Sequence, residues 1–137
     1  MPDTRPSVEV SGAILEKLAV AAWDAREHAY VLGTTKVGCA VLAGDGRVFA
    51  GCNIEHHHRC HDVHAEVNAI SSMVAAGDTR LLAVVVAAER ERFTPCGGCL
   101  DWIFQFGGAG CVVAYGTARG RPLVRHTAGE LMPYYPR

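Results

Sequence analysis

The sequence predicts an α/β fold, a mixed β-sheet covered by helices on its faces. Three observations carry that reading. A helical pattern opens the chain, two strand-like runs joined by a tight turn follow, and strands and helices then alternate to the C-terminus. The length of 137 residues suits one domain with one core.

Residues 1–10, with Pro2, Asp3, Pro6 and Glu9, carry no pattern and are expected to fray, leaving 11–137 as a single domain. From Ser11 to about Tyr30, Ile14, Leu15, Leu18, Ala22 and Ala25 recur at helical spacing, and Ser11 suits an N-cap. Residues 36–43 read as a strand, Gly44-Asp45-Gly46-Arg47 as a turn, and Val48 to about Asn53 as the second strand of a hairpin. The stretch 54–63 is a polar, histidine-dense loop. His64 to about Ala76 has Val67, Ile70 and Val74 on one side of a helix that Gly77 ends. Leu81–Ala88 is valine-rich and apolar throughout, as a central strand buried on both faces should be. Cys96 to about Phe106 reads as a helix stopped by Gly107-Gly108. Cys111–Tyr115 and Leu123–Arg125 read as further strands, and Thr127–Met132 as a short last helix. Trp23 is expected in the core. Trp102 and Phe106 suit packing or a subunit contact, and Cys39, Cys52 and Cys111 suit small buried hydrophobes.

Half of the residues are hydrophobic, more than so short a chain buries alone. A homo-oligomer, tetramer or dimer, is therefore expected. The net charge of −1 with no basic cluster argues against a long nucleic acid as partner and favours a small-molecule substrate. No run approaches a membrane span, and the N-terminus lacks the basic-then-apolar layout of a signal peptide, so a cytoplasmic location is expected. The six cysteines read as reduced, because two of them form a Cys-x-x-Cys with a metal-type histidine elsewhere.

The densest chemistry is His64-Ala65-Glu66 and, 32 residues on (96 − 64), Pro95-Cys96-Gly97-Gly98-Cys99. One imidazole and two thiolates are three corners of a zinc tetrahedron, and catalytic zinc leaves the fourth to water. Zinc brings the pKa of such a water to about 7. Glu66 stands two residues from a ligand, close enough to move protons without coordinating. Cys96 and Cys99, three apart at a helix start, face the same way, and the helix N-terminus favours thiolates. A closed structural zinc site, with Cys60, His61 or Cys52 as fourth ligand, stays open at this point.

His-x-Glu with Pro-Cys-x-x-Cys resembles the signature of zinc-dependent nucleobase deaminases. More of the chain, about residues 11–135, resembles the cytidine deaminase superfamily and its small homotetrameric nucleoside branch. Val37-Gly38-Cys39-Ala40-Val41 is similar to its V-G-A-A strand, Cys52-Asn53-Ile54-Glu55 to its G-N-x-E, and Thr94–Cys99 to its S-P-C-G-x-C. Glu130-Leu131-Met132-Pro133-Tyr134 resembles its E-L-L-P-aromatic tail. The resemblance implies a three-layer α-β-α fold with a five-stranded mixed sheet, active sites near subunit contacts, and Zn2+ held by His64, Cys96 and Cys99 with Glu66 catalytic. It further implies that Asn53 and Glu55 hold ribose hydroxyls and that the backbone at Ala65 and Thr94 meets the base edge. Tyr134 would stack on a base in a neighbouring site or serve the subunit interface.

Two departures stand out. The branch has C-A-E-R where this chain has His64-Ala65-Glu66-Val67. Zinc with three thiolates carries −1 and suits a nearby arginine, whereas zinc with two thiolates and a neutral imidazole carries no net charge. The paired change is therefore self-consistent. The second departure is His56-His57-His58-Arg59-Cys60-His61-Asp62, in place of a segment of small residues that lines the nucleoside pocket. His57 and His58 there would reshape the sugar site, or else point into solvent or hold a second metal. The reading is a zinc-dependent hydrolytic deaminase of an aminopyrimidine-type small molecule, cytidine or deoxycytidine first. A free base, an azapyrimidine or aminotriazine, or a nucleoside antibiotic of the blasticidin type is the alternative, and a structural zinc protein the non-enzymatic one.

Overall fold

A computed structural model describes residues 9–136, so the N-terminal fraying expected for residues 1–10 falls largely outside the described residues. The chain runs α1 (Gly12–Arg26), β1 (Gly38–Ala43), β2 (Val48–Cys52), a 3-10 turn (Arg59–His61), α2 (Ala65–Ala75), β3 (Leu81–Ala87), α3 (Gly97–Gly107), β4 (Val112–Gly116), β5 (Val124–Thr127) and α4 (Ala128–Leu131). Five strands form one sheet in the order β2-β1-β3-β4-β5. Only the β3–β4 pair is parallel, and α3 is the crossover that a parallel pair requires. The sheet is thus mixed, as expected.

Alternation along the strands divides the core in two. Ala40, Leu42, Ala83 and Val85 point to one face, where Leu15, Leu18, Ala22 and Trp23 of α1 cover them. Cys39, Val41, Val84 and Val86 point to the other, under Ile70 and Met73 of α2 and Ile103 and Phe104 of α3. Helices on both faces explain why β1 and β3 are apolar at every position. The result is the three-layer α-β-α arrangement. Gly38 lets α1 lie directly on β1, because a Cβ there would stand 1.9 Å from the Ala22 carbonyl oxygen. Among the described residues no helix is long and apolar enough to cross a membrane.

Boundaries differ where tertiary hydrogen bonds win. The first helix stops at Arg26 instead of running to Tyr30, because Tyr30 pairs with the chain after β2: its N–H donates to Asn53 O at 3.1 Å and its carbonyl accepts from Glu55 N at 2.8 Å. β1 begins at Gly38 because the residues before it are held by the Asn53 side chain. β4 and β5 each extend past the expected end, and Thr127 then caps α4 in a capping box with Glu130.

Candidate active site

Two helix N-termini meet beside the ends of β2 and β3. Ile54 and Val63 exchange backbone hydrogen bonds of 2.8 and 2.9 Å, so the histidine-rich excursion between them starts and ends at one point. Glu55 leaves one side of that clamp, and His64 follows the other. His64 is the N-cap residue of α2, with Glu66 in its first turn. Cys96 is the N-cap residue of α3, with Cys99 in its first turn. Neither cap residue makes a side-chain capping hydrogen bond. α2 is seated on β2 by Asn68, whose Oδ1 accepts from Cys52 N at 3.0 Å. Gly51 permits that seating, since a Cβ there would stand 2.6 Å from both Ala69 N and Asn68 Oδ1.

The Nδ1 atom of His64 lies 3.2 Å from Cys99 Sγ and 3.5 Å from Cys96 Sγ. Bond lengths of about 2.1 Å to nitrogen and 2.3 Å to sulfur, at tetrahedral angles, put ligand N and S atoms roughly 3.5 Å apart. The donor set therefore fits zinc. Among the described residues these are the only three His, Cys, Asp or Glu side chains that converge in this way, with ligand atoms within 4.8 Å of one another. Cys52, Cys60 and His61 lie outside the group, so among the described residues no fourth protein ligand closes the site, and the histidines of the loop form no second metal cluster. Burial, the Glu66 carboxyl and the neighbouring Cys96 together push the Cys99 thiol far above its usual range. A divalent cation is what would reverse this and hold both sulfurs as thiolates.

Glu66 is buried, with 4% of its surface exposed. Burial raises its carboxyl above the ordinary range, against the opposing pull of its own amide, His64 and Cys99. A carboxyl so raised suits proton transfer in both directions nearer to neutral pH. It sits on the wall of a cavity of about 240 Å3 together with His64 and Cys96.

That cavity also collects Asn53, Glu55, Ala65 and Thr94. Asn53 already has backbone partners: its Nδ2 donates to Thr35 O at 2.9 Å and its Oδ1 accepts from Val37 N at 2.8 Å. It builds the wall as well as facing the cavity. Glu55 Oε1 accepts from Leu32 N at 2.7 Å and Gly33 N at 2.8 Å, which with Arg59 hold the carboxyl below its usual range. His57, His58 and Tyr134 do not line the cavity. Asp62 Oδ1 takes the His56 N–H and the 3-10 turn follows, so the imidazoles of residues 56, 58 and 61 turn outward and pack on one another. Tyr134 is 94% exposed, whereas Tyr135 turns in, stacks on Phe104 and donates to Asp101. Thr35 and Phe93 line the cavity and were not expected from sequence; also lining it, within the segment expected at the pocket but not singled out there, are Arg59 and Asp62. For the last two a signal existed: Glu55, Arg59 and Asp62 are spaced four and three apart with alternating charge.

Comparison with known proteins decides the family. The model of the cytidine and deoxycytidylate deaminase zinc-binding region matches residues 13–115, a span that contains His64, Glu66, Cys96 and Cys99. This chain belongs to that deaminase family. A cytidine deaminase of Sporosarcina psychrophila is 35% identical over 121 residues, covering 87% of this chain and 88% of the relative. A crystal structure of cytidine deaminase from Burkholderia pseudomallei superposes with a TM-score of 0.81 at 32% identity, over 91% of this chain and 98% of that one. The cytidine deaminase of Mycobacterium tuberculosis gives 0.75 at 28% identity, over 92% and 97%. The deaminase is a zinc-dependent hydrolytic enzyme, and the imidazole of His64 with the thiols of Cys96 and Cys99 could hold its metal.

Proposed function

We propose that the protein converts cytidine and water to uridine and ammonia. Residues 11–137 act as one domain. His64, Cys96 and Cys99 hold the zinc ion, which when bound supplies a water ionising near neutral pH. Glu66 would take one proton from the attacking water and deliver it to the ring nitrogen, then take the second from the newly added hydroxyl and deliver it to the amine as the carbon–nitrogen bond breaks and ammonia leaves. Ala65 and Thr94 flank the base, and Asn53 and Glu55 hold the sugar hydroxyls. What carries this reading is one juxtaposition: the buried Glu66 and two of the converging metal donors, His64 and Cys96, share a single cavity with Glu55 and Asn53.

Two further readings belong with it. The enzyme works as a homo-oligomer, supported by exposed apolar residues such as Tyr30, Leu32 and Trp102, the last beside the metal donors. It works in the cytoplasm, supported by six unpaired cysteines, two of them needed as thiolates.

The test is uridine formation by zinc-loaded protein beside a Glu66→Gln variant. The substitution should leave zinc content intact and lower kcat by about 10²–10⁴, the usual worth of a positioned acid–base group. Turnover within about tenfold of the parent would remove Glu66 from its assigned role. A parent enzyme that releases ammonia from cytosine or an aminotriazine but not from cytidine would overturn the substrate.

A further inference from the structure

The Glu55–Asp62 end of the cavity lining carries a three-residue charge cluster. Arg59 Nε donates to Asp62 Oδ2 at 2.9 Å, and Arg59 Nη2 lies 3.3 Å from Glu55 Oε2. Asp62 is itself fixed by the His56 N–H at 2.7 Å, and Glu55 by the two amides of Leu32 and Gly33. The two carboxylates are mostly covered, with side chains 14% and 18% exposed, while the arginine is 62% exposed and lines the cavity.

Hydrogen-bonding capacity decides what this end can bind. A carboxylate offers about four acceptor positions. On Glu55, Oε1 is taken by two amides and Oε2 faces Arg59, so one position on Oε2 remains. A guanidinium has about five N–H donors, and the contacts to Asp62 and Glu55 leave most of them, including both on Nη1, uncommitted. The cavity end therefore presents one acceptor beside several donors. A group that only donates finds a single partner here. A phosphate or carboxylate would find donors, but it would face a cluster of two carboxylates and one guanidinium, whose net charge is −1 (−2 + 1). A hydroxyl meets neither obstacle, because it donates to Oε2 while accepting from a guanidinium N–H.

We infer that Arg59 is a specificity-determining residue, pairing with Glu55 as a donor–acceptor reader for one sugar hydroxyl and so favouring a neutral nucleoside over both the free base and the nucleotide. This rests on the proposed cytidine reading, but it concerns recognition, so binding tests it without turnover. Asp62 holds Nε and aims the guanidinium. Lysine in place of Arg59 keeps the charge but cannot span both carboxylates.

The experiment is calorimetric binding of uracil, uridine and uridine 5′-monophosphate to the zinc-loaded protein, its Arg59→Ala variant and its Arg59→Lys variant, with Tm recorded for each. The parent should bind uridine more tightly than uracil and than the monophosphate. Both variants should lose about tenfold of the uridine-over-uracil preference, the worth of one hydrogen bond to a charged group. An unchanged preference in both variants overturns the inference, as does a parent that binds uridine no better than uracil. A parent that prefers the monophosphate, and loses that preference in Arg59→Ala, overturns it in favour of an anion site. Failure of the cytidine reading is separate: it would appear as uridine bound with the stated preference but cytidine not turned over.

Discussion

Gly51→Ala tests whether the seat of α2 on β2 sets the metal geometry. The added methyl would stand 2.6 Å from Ala69 N and from Asn68 Oδ1, and 2.8 Å from Asn68 Cβ. Ordinary contact starts at 3.4 Å, so α2 and β2 must part by about 0.8 Å (3.4 − 2.6). Rotating Asn68 away does not avoid this, because Ala69 N is backbone and because Asn68 Oδ1 is the acceptor for Cys52 N. Overpacking of this kind costs about 1–3 kcal/mol. At this chain length that lowers Tm by roughly 4–12 °C. His64 heads α2, with its Nδ1 at 3.2 and 3.5 Å from the two sulfurs. Ligand positions tolerate only about 0.2 Å of error. Zinc affinity should therefore fall by about 10–100-fold, the range seen when support around a ligand is lost. Scanning calorimetry and chelator competition measure the two effects on one sample. A Tm within about 1 °C of the parent, with unchanged zinc affinity, would refute the claim that close contact at Gly51 holds the histidine in place.

Two more outcomes follow from the cavity wall. Asn53→Ala removes the acceptor for Val37 N and the donor to Thr35 O, so it should destabilise the apo protein by about 1–3 kcal/mol in denaturant titrations; an unchanged midpoint would leave Asn53 a ligand contact and nothing more. Glu55 is held below its ordinary 4.5 by the Gly33 and Leu32 amides and then by Arg59, so its carboxylate persists above that value and is lost only as pH falls through its lowered one. The ratio of uracil to uridine dissociation constants should thus stay flat from about pH 8 to about pH 5; a decline already above pH 5 would mean that Glu55 is not held in this way.

Local chemistry made much of this molecule readable in advance. The valine run of β3 could only be a strand buried on both faces, and Gly77, Ser11 and the Gly44–Arg47 turn punctuate the chain by backbone rules that need no partner. The metal donors were legible because two short motifs at helix starts converge whenever those helices share one face of the sheet. What escaped was set by contacts between distant segments. The end of α1 depends on Tyr30 meeting Asn53 and Glu55. The outward turn of His57 and His58 depends on Asp62 capturing the His56 amide. The double duty of Asn53 depends on residues 35 and 37 passing within reach of its amide. A histidine-rich segment draws the eye to its imidazoles, yet the residues it sends to the cavity are its arginine and its aspartate.

His64 and Cys96 occupy the N-cap positions of α2 and α3, and neither side chain makes a capping hydrogen bond there. Serine or aspartate at such positions would close each helix separately. Here both side chains are turned toward one shared point instead. A single cation bound there would fasten two otherwise unfastened helix ends, so its binding energy is shared between catalysis and the rigidity of half the second layer. Metal concentration then acts on this enzyme as a folding variable: each tenfold rise above the dissociation constant adds about 1.4 kcal/mol to the stability of the native chain, most directly at the first turns of those two helices.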